Sequence, residues 1–372
     1  MLMFLPRLID KLEEELKNKG ALYIQKGITQ PPSINPDIKK RISGVKKKRY
    51  SVGEYVSGIL GGNRTILSQA ITLLESSNPR HFETVQKVIE SCLPYSANSV
   101  RIGITGVPGA GKSTFIETFG TLLTSKGRKP AVLAIDPSST NTRGSILGDK
   151  TRMESLSTDP NAFIRPSPST GTLGGVARKT RETIILFEAA GFDTIIVETV
   201  GVGQSETAVS SMVDFFLLLM ISGAGDELQG IKRGIMEMAD LIAINKADTN
   251  KLAAEKSASD YMNALHLFPY PPSGWTPKVI TCSALSNLGI EEIWITIQEY
   301  VKMTKGSGFF DKRRKEQAII RMHDTILDQL KNSFYNNEEI KAMSIDLERQ
   351  LRKGAITSYK AAGDMLDKYF KK

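Results

Sequence analysis

A chain of 372 residues, 40% hydrophobic and 24% charged, has the make-up of a folded globular protein of about two or three domains. The longest apolar run, Phe215–Ile221, has strand length and falls well short of the ~18 residues of a membrane span; Cys92 and Cys282 stand alone and far apart, so no disulfide framework or zinc spacing exists and a reducing, cytoplasmic setting is expected. The net charge of +9 gathers in Lys39-Lys40-Arg41, Lys46-Lys47-Lys48-Arg49 and Lys312-Arg313-Arg314-Lys315; without aromatic interleaving or a nucleic-acid motif these read as a solvated linker and a solvated helix end, and neither nucleic acid nor membrane is expected as a partner.

Residues 1–50 carry an amphipathic helix, then Pro31, Pro32 and Pro36 and a basic run, and are expected to form an N-terminal extension. Residues 51–95 read as a helical lead-in. One apolar stripe runs through Ile66, Ala70, Ile71, Leu73 and Leu74, and a second through Val85, Val88, Ile89 and Leu93. A nucleotide-binding domain is expected over 96–304. Its key is Gly106-Val107-Pro108-Gly109-Ala110-Gly111-Lys112-Ser113-Thr114, which fits the P-loop pattern G-x-x-x-x-G-K-[ST]. An apolar strand at 100–105 precedes it and an amphipathic helix follows. That context aims backbone N–H groups and a helix N-terminus at a phosphate. The expected roles are Lys112 on the β/γ-phosphates and Ser113 on Mg²⁺.

Further apolar strands follow at 131–135, 194–197, 215–221, 241–244 and 279–281, separated mostly by helical stretches. The fold class expected is α/β, a P-loop NTPase domain with a mostly parallel sheet covered by helices and helical extensions at both ends. Ligands of such sheets sit at the carboxyl ends of the strands, where Asp136, Glu198, Asn245 and Ser283 fall. Asn245-Lys246-Ala247-Asp248 matches N-K-x-D, the guanine-reading pattern. A carboxylate only accepts, and guanine offers N1–H and a 2-amino group side by side, so Asp248 takes both while adenine offers no such pair. Asn245 is expected to tie the loops together and the Lys246 stem to cover the base. In Ser283-Ala284-Leu285 a backbone N–H is expected to meet guanine O6. Glu198-Thr199-Val200-Gly201 stands where most GTPases carry D-x-x-G, which gives Glu198 a role beside Mg²⁺ and Gly201 one at the γ-phosphate. Ser113, Asp136, Asp149 and Glu198 make a sufficient oxygen set for the ion. The glycines and charges of 223–232 read as a switch loop, Gly306-Ser307-Gly308 as a hinge, and 305–372 as a helical arm with apolar stripes at Ile319, Met322, Ile326 and Leu330 and at Ile345, Leu347 and Leu351.

These stations resemble the MeaB/MMAA/ArgK-type P-loop GTPases. The likeness rests on the P-loop, Asp136-Pro137-Ser138-Ser139, the stretches 144–153, 163–167 and 174–176, Val197-Glu198-Thr199-Val200-Gly201-Val202-Gly203-Gln204-Ser205-Glu206, and 223–232. It covers roughly residues 55 to 305. The resemblance implies a GTP-hydrolysing chaperone, binding GTP/GDP with Mg²⁺, for an adenosylcobalamin-dependent acyl-CoA mutase, usually methylmalonyl-CoA mutase. It also implies a homodimer through the C-terminal helices, and partner signalling through Asp226, Gln229 and Lys232. Val202 stands where Ras-like enzymes carry the water-positioning Gln, with Gln204 further on. Two alternatives are a metal-delivery GTPase of the nickel-insertion type, disfavoured by the lack of Cys/His clusters, and a transport-system kinase-like ATPase, disfavoured by the lack of a protein-kinase signature.

Overall fold

A computed structural model describes residues 50–76, 78–136, 153–168, 173–199, 205–222 and 233–370. The extension read over 1–50 therefore lies outside the described residues, Tyr50 apart.

The lead-in is three helices, α1 (Val52–Leu60), α2 (Arg64–Glu75) and α3 (Pro79–Cys92). Ser51 and Glu54 close a capping box on α1, Asn63 caps α2 and Asn78 caps α3, each satisfying amide groups a helix start leaves open. The strands are β1 (Val100–Gly106), β2 (Pro130–Asp136), β3 (Phe163–Pro168), β4 (Thr194–Thr199), β5 (Phe215–Ile221), β6 (Leu241–Asn245) and β7 (Lys278–Thr281). They form one seven-stranded sheet in the order β3-β2-β4-β1-β5-β6-β7, and every pairing is parallel. The core strands are buried and mostly apolar because helices cover them: α4 (Lys112–Ser125) lies on β1 and β2, α6 (Leu173–Ala189) on β2, α7 (Ser205–Ser210) on β1 and β4, α8 (Arg233–Met238) on β5 and α9 (Lys251–Leu265) on β6 and β7. A short helix, α5 (Glu154–Thr158), leads into β3. The chain runs outward from β1 to one edge through β2 and β3, and to the other through β5 to β7. The carboxyl end of β1 is thus a point of reversal, where such sheets bind ligands.

Strand β3 escapes the apolar-run reading because its sequence is Phe-Ile-Arg-Pro-Ser-Pro. It is an edge strand, pairing with β2 alone, and an edge tolerates residues without an N–H.

Beyond the sheet come α10 (Ile290–Gly306), α11 (Phe309–Asn336), α12 (Glu338–Arg352) and α13 (Ser358–Phe370). Here the structure corrects one expectation. Within Lys312-Arg313-Arg314-Lys315 only the two lysines are solvated. Arg314 forks onto both oxygens of Asp214, at 2.7 and 2.6 Å, and donates to the carbonyls of Ala97 and Ser99. Arg313 donates to the Asp214 carbonyl at 3.1 Å and to the Tyr300 hydroxyl at 3.0 Å. Successive helix positions face different ways, so one charge run serves both water and the core.

Asp240, just ahead of β6, is largely buried, with 13% of its side chain exposed. Burial pushes its pKa up to about 6, against the pull of Arg313 at 3.8 Å and the Phe216 N–H at 2.8 Å. A carboxyl whose pKa is raised on folding stabilises the fold in its protonated form. That contribution is lost as pH rises from the unfolded value of 3.8 through the folded value of about 6. Relative to Asp240→Asn, the wild type is expected to lose about 3 kcal/mol across this window and to change little above it. Denaturant titrations of both proteins between about pH 4 and pH 7 measure the difference. A difference that does not slope there removes Asp240 as the titrating group.

Candidate functional site

β1 delivers the chain to Gly106. A Cβ there would come within 2.1 Å of the Leu219 carbonyl oxygen on β5, so only glycine lets the backbone leave the sheet at this point. The loop turns through an Ala110 N–H bond to the Val107 carbonyl (3.1 Å), and α4 starts at Lys112 behind Gly111. Gly111 has φ +85°, and a Cβ on it would meet Asn245 Nδ2 at 2.9 Å. The Lys112 ammonium is buried and donates to the carbonyls of Gly106 (2.8 Å) and Val107 (3.3 Å). Burial pushes its pKa down, and the charges of Glu198 and Glu206 oppose that. A loop of amides, a helix start and a buried ammonium together form a cradle for an anion.

Glu198 is brought to the same place by β4. Its Oε1 accepts from the Ser113 hydroxyl at 3.4 Å, and the next residue, Thr199, donates to Thr105 across β4 and β1 at 2.8 Å. A hydroxyl and a carboxylate side by side are the hard oxygen donors that Mg²⁺ takes, and the ion keeps its other positions for water and phosphate. Among the described residues there is no cluster of three or more His, Cys, Asp or Glu able to bind a metal. Asp136 is the last residue of β2 by its backbone; its side chain, and all of Asp149, lie outside the described residues, as do Gly201, Asp226, Gln229 and Lys232.

The second half of the site is organised by Asn245, the last residue of β6. Its Nδ2 donates to the Ala110 carbonyl at 2.7 Å, and its Oδ1 accepts from the Ala284 N–H at 3.0 Å. One buried amide thus locks the phosphate loop to the 283–285 loop. Lys246 takes φ +61°, and a turn closed by the Thr249 N–H on the Lys246 carbonyl presents Asp248 to solvent. The Ala247 N–H bond to the Cys282 carbonyl ties this turn to the end of β7. Of the amides in 283–285, Ser283 is bonded to the Leu288 carbonyl and Ala284 to Asn245. Leu285, 82% exposed, carries the amide left over. The Thr118 hydroxyl fixes this loop from α4 by donating to the Ala284 carbonyl at 2.8 Å. Val107, Pro108, Gly109 and Thr114 complete the phosphate loop, with Thr114 facing outward.

Two neighbours of the site had no individual role in the sequence. The Thr105 hydroxyl is buried within β1 against Thr199. Glu206, 1% exposed at the start of α7, adds its charge to that of Glu198 on Lys112. A buried acid at a helix start is indistinguishable by sequence from an ordinary N-terminal acid.

The family described as methylmalonyl-CoA mutase-associated GTPase MeaB matches residues 67–339. The GTPase ArgK of Escherichia coli is 47% identical over 78% of this chain and 88% of its own. The mouse protein named methylmalonic aciduria type A homolog, mitochondrial, is 42% identical over 94% of this chain and 87% of its own. A crystal structure of an LAO/AO transport system kinase superposes with a TM-score of 0.69 at 36% identity, covering 88% of this chain and all of the other.

Proposed function

The chain belongs to the family of methylmalonyl-CoA mutase-associated GTPases and is a GTP hydrolase of the P-loop class, and from that premise we propose that it is a GTP-driven chaperone of an adenosylcobalamin-dependent acyl-CoA mutase. The mutase of first choice is methylmalonyl-CoA mutase, since the family is named for it. The observation that carries the nucleotide half of the reading is the Asn245 clamp. It couples the phosphate loop, through Ala110, to the 283–285 loop, and in this reading the Leu285 N–H meets the guanine O6 and Asp248 lies beside the base.

In the proposed reaction the amides within 106–111 that the turn leaves unbonded hold the β-phosphate, and Lys112 transfers its hydrogen bonds from the Gly106 and Val107 carbonyls to the β/γ-phosphate oxygens. Ser113 and Glu198, with Asp136 and Asp149 as further candidates, would hold Mg²⁺, which would supply neutralisation of the phosphate charge. Gly201 meets the γ-phosphate, and Asp226, Gln229 and Lys232 carry the signal to the mutase.

We further place the protein in the cytoplasm as a homodimer. No helix of the described residues is long and apolar enough to cross a membrane. The apolar face of α11, with Ile319, Ile326 and Leu330 exposed on it, is the surface a second copy covers in this reading, which assigns 305–372 to dimerisation.

The experiment is single-turnover GTP hydrolysis with and without a purified methylmalonyl-CoA mutase, joined to capture of that mutase by the protein loaded with a non-hydrolysable GTP analogue. A slow basal rate accelerated by the mutase, with capture dependent on the analogue, is expected. Groups that position water or stabilise charge are worth about 10³–10⁵-fold in related switch enzymes, and a partner that orders the loop can supply part of this. A rate and a binding behaviour indifferent to the mutase sink the chaperone reading and leave the GTPase standing.

A further inference from the structure

The short connector 211–214 joins α7 to β5. Upstream, α7 begins directly after Gln204. Downstream, β5 runs beside β1 until its Leu219 carbonyl abuts Gly106 of the phosphate loop. Both ends of the connector therefore lead to the nucleotide side of the sheet.

What holds the connector comes from elsewhere. Arg181 of α6, only 5% exposed in its side chain, donates to Ser211 Oγ at 2.8 Å, and that hydroxyl donates on to the Ala208 carbonyl of α7 at 2.7 Å. From α11, Gln317 donates to the Val213 carbonyl at 2.8 Å, Arg313 to the Asp214 carbonyl, and Arg314 to both Asp214 carboxylate oxygens. The same carboxylate accepts the Arg101 N–H of β1 at 2.8 Å. The other arm of the Arg181 guanidinium reaches α11 directly, at Asp324, 3.3 Å away. The first turns of the C-terminal arm thus grip the one segment that links α7 to the strand beside the phosphate loop.

We propose that this connector couples the bound nucleotide to the C-terminal helical arm, with Arg181 as the positioning residue that passes a shift of α7 from Ser211 to Asp324. The junction is built to rearrange. Arg181 Nε, Arg321 Nε and Glu182 Oε2 are buried there without hydrogen-bond partners. Burial and then the charges of Arg181 and Arg101 bear against the Arg321 cation. A buried polar group left unsatisfied is costly, so a shift that brings it a partner is favoured, and a two-state element is what carries a signal between distant sites. Coupling of this kind is reciprocal: whatever pairs with the arm changes the preference for GTP over GDP by the factor with which the nucleotide changes that pairing. The inference rests on the reading that the nucleotide occupies the phosphate loop.

Hydrogen exchange of the full chain, with GDP and with a non-hydrolysable GTP analogue, is the test, run beside calorimetry of both nucleotides. In the wild type, exchange over 313–324 of α11 is expected to differ between the two nucleotides by several-fold, within the ~5–150-fold range of such couplings. Asp324→Ala, at a side chain 52% exposed, and Ser211→Ala are each expected to bind both nucleotides as the wild type does and to lose that difference. Ser211→Thr, which keeps a hydroxyl for Arg181, restores it. An α11 indifferent to the nucleotide in the wild type, or a difference that survives in both variants, overturns the coupling. Failure of the wild type to bind either nucleotide overturns the site assignment itself, and the coupling with it.

Discussion

Lys112→Ala is expected to lower affinity for GTP by about 10²–10³-fold and to abolish measurable turnover. The side chain supplies charge-assisted hydrogen bonds to the β/γ-phosphates, each worth about 1.5–3 kcal/mol, and roughly 1.4 kcal/mol is a factor of ten. A collapsed protein would show the same loss, so the free protein is the control. In it the ammonium is buried against the Gly106 and Val107 carbonyls, and burial works against its charge. Its removal therefore relieves a desolvation cost while giving up two hydrogen bonds, and the melting temperature of the free variant is expected to stay near that of the wild type. What disappears is the rise in melting temperature that GTP gives the wild type. Thermal melts with and without GTP, with calorimetry and single-turnover hydrolysis, separate the possibilities. A variant that still hydrolyses GTP at the wild-type rate places the reaction away from this loop.

The parts of the site legible in the sequence are those where local backbone sterics dictate the residue. Gly106 lies against the Leu219 carbonyl and Gly111 against Asn245, and no other residue type serves there, so the spacing itself carries the geometry. The apolar strands were legible for a related reason: a parallel sheet covered by helices needs continuous apolar runs. Features fixed by distant partners were not. Nothing near Arg314 in sequence marks it as the partner of Asp214, a hundred positions away, and a charge run read locally resembles a solvated one. Strand β3 was hidden by Pro166 and Pro168, which its edge position permits. The choice of amide in 283–285 also needed the structure. Only once Ser283 and Ala284 are seen bonded to Leu288 and Asn245 does Leu285 emerge as the donor to spare.

Asp248→Asn is expected to convert a guanine site into one that favours xanthine. The position of Asp248 is set by a rigid frame: Asn245 is locked to both loops, Lys246 holds a left-handed turn at φ +61°, and the Ala247 N–H is tied to Cys282. The substitution keeps the shape and the frame but replaces one accepting oxygen by a donor. Against guanine, whose N1–H and 2-amino group both donate, a donor now faces a donor. One of the two charge-assisted hydrogen bonds is reversed and the other loses its charge assistance; with such bonds worth about 1.5–3 kcal/mol each, GTP affinity should fall by about 10²–10³-fold. Xanthine carries an oxygen in place of the 2-amino group, which accepts from the new amide, and xanthosine triphosphate should bind the variant better than GTP does. ATP should bind neither protein well, because adenine presents an acceptor at N1 and no 2-amino group. Binding of GTP, xanthosine triphosphate and ATP to both proteins, measured by calorimetry, decides the matter. Equal affinity of the wild type for ATP and GTP defeats the guanine assignment. An unchanged order of preference in Asp248→Asn removes this carboxylate from the base site while leaving the phosphate loop in place.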